Sequence, residues 1–200
     1  MKTLPPLRLK KSEERRLRAG HLWVFSNEVD VKQTALDSFE PGELVSVQAF
    51  DGKVLGNGYV NPNTLIAARI VSRDPSYRLD QSLITHRLKV ALSIRERIFP
   101  HPYYRWVHGE SDGLPGLVVD RFGDVLSVQI TTAGMERMTE EVVAALKKVS
   151  SAAVIVLKND TSARQLEGLE SKVDVVVGEL PELVPLVENG AKFEVPLLDG

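Results

Sequence analysis

The sequence predicts an α+β protein: a small β-barrel followed by a mixed α/β connecting domain. Three observations predict it. Short alternating apolar runs separated by turn dipeptides crowd residues 43–72, the pattern of a β-meander. Only one small helix is expected among the first 75 or so residues. Beyond them the pattern orders as helix, strands, helix, strand, strand and hairpin, which makes a mixed layer.

Leu7-Arg8-Leu9 alternates and is expected to form a short first strand. Ser12 is placed to cap a short helix through Ala19, stopped by Gly20. His21-Leu22-Trp23-Val24-Phe25-Ser26 follows, and in an extended chain Trp23 and Phe25 point the same way. Core packing is the ordinary fate of such a pair; base stacking is the alternative. Glu43–Phe50, Lys53–Val60 and Thr64–Ser72 read as three strands, joined by Asp51-Gly52 and Asn61-Pro62-Asn63. Gly56 and Gly58 on the middle strand mark a bulge or a sharply coiled barrel. Arg73-Asp74-Pro75-Ser76 looks like a junction, dividing the chain into domains 1–75 and 76–200.

A helix is expected from Asp80 to Phe99, burying Ile84, Leu88, Ala91 and Ile98 and ended by Pro100 and Pro102. Tyr103–Val107 leads as a strand into a hairpin of Leu117-Val118-Val119 and Val125–Ile130, turned at Phe122-Gly123-Asp124. A second amphipathic helix spans Gly134–Val149. Strands follow at Ala152–Leu157 and Val173–Val177, with a polar helix or loop over Lys158–Glu170 between them. Asn189-Gly190, between Val184–Glu188 and Ala191–Val195, is the strongest short hairpin signal in the chain.

Apolar residues make up 43% of the 200, enough for a real core, and the net charge is only −2. That near-neutrality hides a segregation. Residues 1–21 hold seven basic side chains against two acidic, a balance of +5, and the remainder carries −7. The basic run is either a solvated face or a local binding surface for a polyanion. The chain has no cysteine, which excludes disulfides, zinc–cysteine sites and cysteine nucleophiles from it. There is no apolar run of membrane length and no signal-peptide pattern, so a cytoplasmic protein without membrane contact is expected.

The run from His108 to Gly123 gathers Glu110, Asp112 and Asp120 among glycines. It reads either as a catalytic or metal loop, with His108 a further candidate, or as a structural hairpin. In the second case its carboxylates cap turns and pair with Arg121 or Arg105. Short acidic side chains in turns commonly bond the local backbone.

Three pieces now act together: the basic lead-in ending His21-Leu22-Trp23-Val24-Phe25-Ser26, the block from His108 to Gly123, and the stretch from Gly178-Glu179-Leu180-Pro181 to Glu188-Asn189-Gly190. In order and spacing they resemble the large-subunit ribosomal-RNA cytosine-5 methyltransferases and their close relatives, over essentially all 200 residues. The resemblance implies an N-terminal PUA domain, an RNA-binding module, and a central α/β domain. In the family a Rossmann-like S-adenosylmethionine domain begins about where this chain ends, and nothing here resembles its glycine-rich cofactor loop or its catalytic cysteine motif. Cytosine C5 is a poor nucleophile, and a thiolate must first add to C6. The implied role is therefore the RNA-recognition and scaffold portion of such an enzyme. No catalytic residue and no metal belong to this chain, and S-adenosylmethionine is bound by the intact protein rather than by these residues.

On that reading the partner is ribosomal RNA. Lys10, Lys11, Arg15, Arg16 and Arg18 would contact phosphates, which positions RNA without reading sequence. His21 and Trp23 are candidates for contacting a base. The central domain, including Glu110, Asp112, Asp120 and Arg121, would hold the catalytic domain against the barrel and line the RNA path. Two other readings compete. A standalone PUA-type RNA-binding adaptor differs only in lacking an attached catalytic domain, and the abrupt end at Gly200 argues for attachment. A metal-dependent hydrolase using His101, His108, Glu110 and Asp112 lacks a helical i, i+4 ligand pair. The edge of the Asn189-Gly190 hairpin could also pair with a second copy as a homodimer.

Overall fold

The computed structural model describes residues 3–188 and 190–198. Five strands form the first sheet: β1 (Pro6–Arg8), β2 (Trp23–Val24), β3 (Glu43–Gln48), β4 (Val54–Val60) and β5 (Ala68–Ser72). Their order is β1-β3-β4-β5-β2, with β1 parallel to β3 and the other pairs antiparallel. An isolated bridge between Leu9 and Val29 ties the strip after β1 to the strip after β2. Leu7, Leu17, Val24, Val45, Val60 and Ile70 meet inside as one apolar cluster.

The glycines of β4 have the meaning their spacing implies. The register shifts beside both of them. A Cβ at Gly58 would strike the carbonyl of Arg69, and one at Gly56 that of Ser72. Only glycine lets β4 and β5 approach so closely.

Three local expectations are corrected. Ser12 does not cap a helix: it has φ of +72°, and the helix α1 covers only Arg15–Arg18. The third strand starts at Ala68, because the Asn61 turn and its Thr64 hydroxyl bonds occupy residues 61–66. Trp23 lies on the surface, 39% exposed, while its neighbour Val24 is buried.

The helix α2 (Gln81–Ile98) begins where Asp80 accepts a hydrogen bond from the Leu83 amide at 2.9 Å. It buries Leu83, Ile84, Leu88 and Ala91, whereas Ile98 is 64% exposed in its last turn before Pro100. The second sheet has the order β10-β9-β8-β7-β6. Its strands are β6 (Tyr103–His108), β7 (Leu117–Phe122), β8 (Val125–Ile130), β9 (Val154–Asn159) and β10 (Lys172–Val177), and only β8 and β9 run parallel. The crossover between those two holds α3 (Ala133–Glu136) and α4 (Thr139–Val149). A single helix was expected there; the chain breaks at Met138, whose φ of −108° and ψ of 16° leave the helical region.

α2 and α4 cover one face of this sheet, with Trp106 fully buried between sheet and helix and its indole N–H donating to the Leu88 carbonyl at 3.0 Å. The final hairpin pairs β11 (Val184–Glu188) with β12 (Ala191–Val195). Its strand bounds match the expectation, while Asn189 itself lies outside the described residues. Val184 and Leu197 pack on Val154 and Val156, covering the opposite face. Among the described residues no helix is long and apolar enough to cross a membrane.

The two sheets share a core. Tyr59 of β4 and Val71 of β5 are buried with Ile84, Trp106 and Met135 rather than with the interior of the first sheet.

Candidate nucleic-acid interface

The basic lead-in folds around α1. Leu17 is the one buried residue of this short helix, so its arginines must face outward. Arg73, just after β5, donates to the carbonyls of Leu17 at 2.7 Å and His21 at 3.0 Å, fixing the end of the helix. Lys10, Lys11, Arg15, Arg18, His21 and Trp23 are each exposed. The structure divides the cations by task. Arg16 pairs with buried Glu28 at 2.8 Å and lies 4.8 Å from the centroid of the Phe25 ring. Lys10 donates to the Asn27 carbonyl at 2.7 Å. Among the described residues Lys11, Arg15 and Arg18 have no ion-pair or hydrogen-bond partner from their side chains, leaving three cations for a polyanion.

The four candidate residues of the acidic block do not converge. Asp112 is nearly buried, takes a bidentate pair of 2.7 Å bonds from Arg95 of α2, and accepts from the His108 amide at 2.7 Å. Asp120 pairs with Arg105 at 2.9 and 3.1 Å, and this bond holds the Arg105 guanidinium above its ordinary pKa. Arg121 donates to the Gly123 carbonyl and to the Tyr104 hydroxyl. These contacts fit the structural reading of the block, with Arg95 replacing Arg121 as the unexpected partner. Asp120 and Arg121 line a cavity of about 660 Å³ between the second sheet and the final hairpin. The hydrolase's carboxylates are thus engaged elsewhere, and among the described residues no group of three or more acidic or histidine side chains could hold a metal ion.

Glu110 goes the other way. Its Oε1 accepts from the Trp23 indole N–H at 2.7 Å and stands 3.8 Å from Arg69 Nε. These residues line a cleft of about 630 Å³ at the seam of the two sheets. Behind it lies a network that sequence reasoning missed. Arg69 Nη1 donates to Glu167 Oε1 at 2.7 Å, while Glu167 Oε2 accepts from Asn61 Nδ2 at 2.8 Å and from the Ala133 amide at 3.3 Å. Glu167 is carried by α5 (Ser162–Leu166), which buried Arg164 ties to Glu136 of α3 at 2.8 Å. Tyr59 completes the seam, its hydroxyl bonding the Pro115 carbonyl at 3.0 Å and Thr132 Oγ1 at 2.9 Å. Burial pushes that hydroxyl well above its ordinary pKa, against the lowering effects of Arg69 and Thr132. Glu167 was hidden because it sits in a polar stretch with no periodicity, and nothing local marks it as buried.

At the turn out of β8 the ring of Tyr59 fills the space beside Gly134, while Thr131 and Thr132 line the cleft at the seam.

A family profile described as a PUA-like domain matches residues 7–73. The first sheet is therefore a PUA-like barrel, and the mixed α/β domain follows it. The chain is similar to the Shigella boydii protein named ribosomal RNA large subunit methyltransferase I, 35% identical over 196 residues, covering 96% of this chain and 49% of that protein. The Escherichia coli protein of the same name, from strain UTI89, is 34% identical with the same coverage. The chain thus spans about half the length of these curated relatives. A candidate SAM-dependent methyltransferase from Streptococcus mutans shares the fold, with a TM-score of 0.77 at 17% identity, over 96% of this chain and 48% of that one.

Proposed function

We propose that these residues are the RNA-recognition and scaffold portion of an S-adenosylmethionine-dependent ribosomal-RNA methyltransferase acting at cytosine C5. Residues 1–75 grip the RNA and 76–200 form the scaffold. The observation that carries the reading is the exposed cationic face of α1, with Lys11, Arg15 and Arg18 unengaged, beside an exposed Trp23 on a PUA-like barrel. Phosphates lie on the cations, and Trp23 and His21 meet bases. The names of the relatives supply the reaction class.

The chemical step requires a thiolate to activate the base, and this chain has no cysteine. The 200-residue chain is then inactive by itself and acts by placing RNA.

Filter binding of a structured fragment of large-subunit ribosomal RNA at two salt concentrations tests the reading. Affinity should fall steeply as salt rises. Replacing Lys11, Arg15 and Arg18 by alanine should flatten the log–log slope by about 2 to 3. Absent or salt-independent binding would overturn it.

A further inference from the structure

The cleft at the seam has features that phosphate binding does not use. Trp23 lines it and is 39% exposed. Leu65 and Leu166, which line the same cleft, are each 79% exposed and are the most exposed large apolar side chains among the described residues. Apolar side chains held open around one cleft mark a site that something apolar covers. One wall belongs to the barrel and the other to α5, and the buried Arg69–Glu167 pair fixes the distance between them.

Of the polar side chains lining this cleft, which include Arg69, Thr131, Thr132 and Glu167, Glu110 carries the exposed carboxylate. Glu110 is about one-third exposed, with 34% of its side chain accessible. Trp23 occupies only its Oε1, and among the described residues Oε2 accepts no hydrogen bond. A carboxylate beside an aromatic ring suits a planar ligand with two adjacent N–H donors on one edge. Of the RNA bases only guanine has that edge, in N1–H and the N2 amino group. Adenine and cytosine put a ring-nitrogen acceptor beside their amino group, and uracil flanks its single N–H with two carbonyls. Those acceptors would face the carboxylate charge.

We infer that this cleft takes one looped-out guanine of single-stranded RNA. The base stacks on Trp23 between the two rim leucines, and N1–H and N2–H donate to Glu110. The inference rests on the RNA-binding role proposed above and adds a base identity to it. The guanine is a register mark: Glu110 and Trp23 hold it while the neighbouring backbone crosses the cations of α1. Arg69 Nε, 3.8 Å from Glu110 Oε1, helps to position that carboxylate.

The test titrates the 200-residue chain with two single-stranded hexaribonucleotides, UUUGUU and UUUAUU, at one fixed salt concentration. Tryptophan fluorescence is the readout. Trp106 is fully buried, so quenching reports Trp23. The guanine oligomer should bind about tenfold more tightly, the discrimination of one bidentate base contact. Glu110→Gln should abolish that preference, weakening the guanine oligomer and, because the charge facing adenine's ring nitrogen is gone, leaving the adenine oligomer bound at least as tightly as before. Leu65→Ser changes only a rim side chain and should weaken the guanine oligomer several-fold without touching the Glu110 geometry. Equal affinities in the unmodified chain, or a guanine preference that survives Glu110→Gln, would overturn the assignment. If the hexamers show no base preference but structured RNA binds with steep salt dependence, the guanine site fails and the RNA-binding role stands. If no RNA binds at all, both fail.

Discussion

Removing the Glu167 carboxylate should uncouple the two halves of the molecule. Glu167→Ala leaves the Arg69 guanidinium, only 11% exposed, without its 2.7 Å partner. Stripping one member of a buried pair costs about 3–5 kcal/mol, because the other charge stays desolvated and unmatched. Glu110, 3.8 Å from Arg69, compensates only weakly, and Asn61 keeps its 3.1 Å bond to the Glu167 carbonyl, so the lower half of that range is expected. At about 2–4 °C per kcal/mol for a chain of this size, Tm should fall by roughly 10 °C. Urea unfolding measures it, using single-tryptophan variants that leave either Trp23 in the barrel or Trp106 in the second core. In the parent chain the two probes should report one transition; in Glu167→Ala the Trp23 transition should separate to lower urea. The double variant Arg69→Met with Glu167→Leu removes both charges and should recover most of the loss. A cost below about 1 kcal/mol, or a double variant as unstable as the sum of its singles, would refute this account of the seam.

Tyr59→Phe should cost about 1–3 kcal/mol in chemical denaturation, since it strands the Pro115 carbonyl and Thr132 hydroxyl inside the core. The same variant has a pH signature. Burial raises the Tyr59 pKa above its ordinary 10.0, so above that pH the unfolded chain releases a proton that the native chain keeps. This contribution is therefore complete below pH 10.0 and declines as pH rises beyond it; denaturation midpoints on either side of that value should show the decline in the parent chain and not in Tyr59→Phe. Gly134→Ala drives a methyl into the Tyr59 ring and should destabilise by at least about 2 kcal/mol, read as a lowered Tm. Asp112→Ala frees Arg95 and the His108 amide together, and should speed hydrogen exchange in residues 108–113 while leaving barrel amides unchanged.

The legible parts of the fold were those in which neighbouring residues decide. The strands expected to flank Asn189-Gly190 have the limits of β11 and β12, and the Gly123-Asp124 turn fixed the start of β8, though β7 runs on through Phe122, which was expected in the turn. Asp80 and Pro100 bracket α2 for the same reason. What escaped was set by tertiary contacts. The apolar spacing of Met135, Met138, Val142 and Leu146 continues across the break between α3 and α4, so periodicity could not reveal it. Residue type left Trp23 between core packing and base contact; its indole N–H is tied to Glu110, 87 positions away, at the surface. The candidate cations were legible as a charge run, but only the fold separates Arg16, paired with Glu28, from unengaged Arg15 and Arg18. Asp112 and Asp120 were recognised as structural carboxylates, while the choice of Arg95 for Asp112 required α2 to pack against the loop.

Tyr59 has a further implication for how such proteins can be recombined. A barrel whose aromatic ring seats in its neighbour's interior is not an interchangeable cassette. Severed at the junction, it would present bare ring and unmet hydroxyl to water, and the neighbour would be left with a hole. Transplanting this barrel onto another protein would mean carrying over the Pro115, Thr132 and Gly134 socket as well.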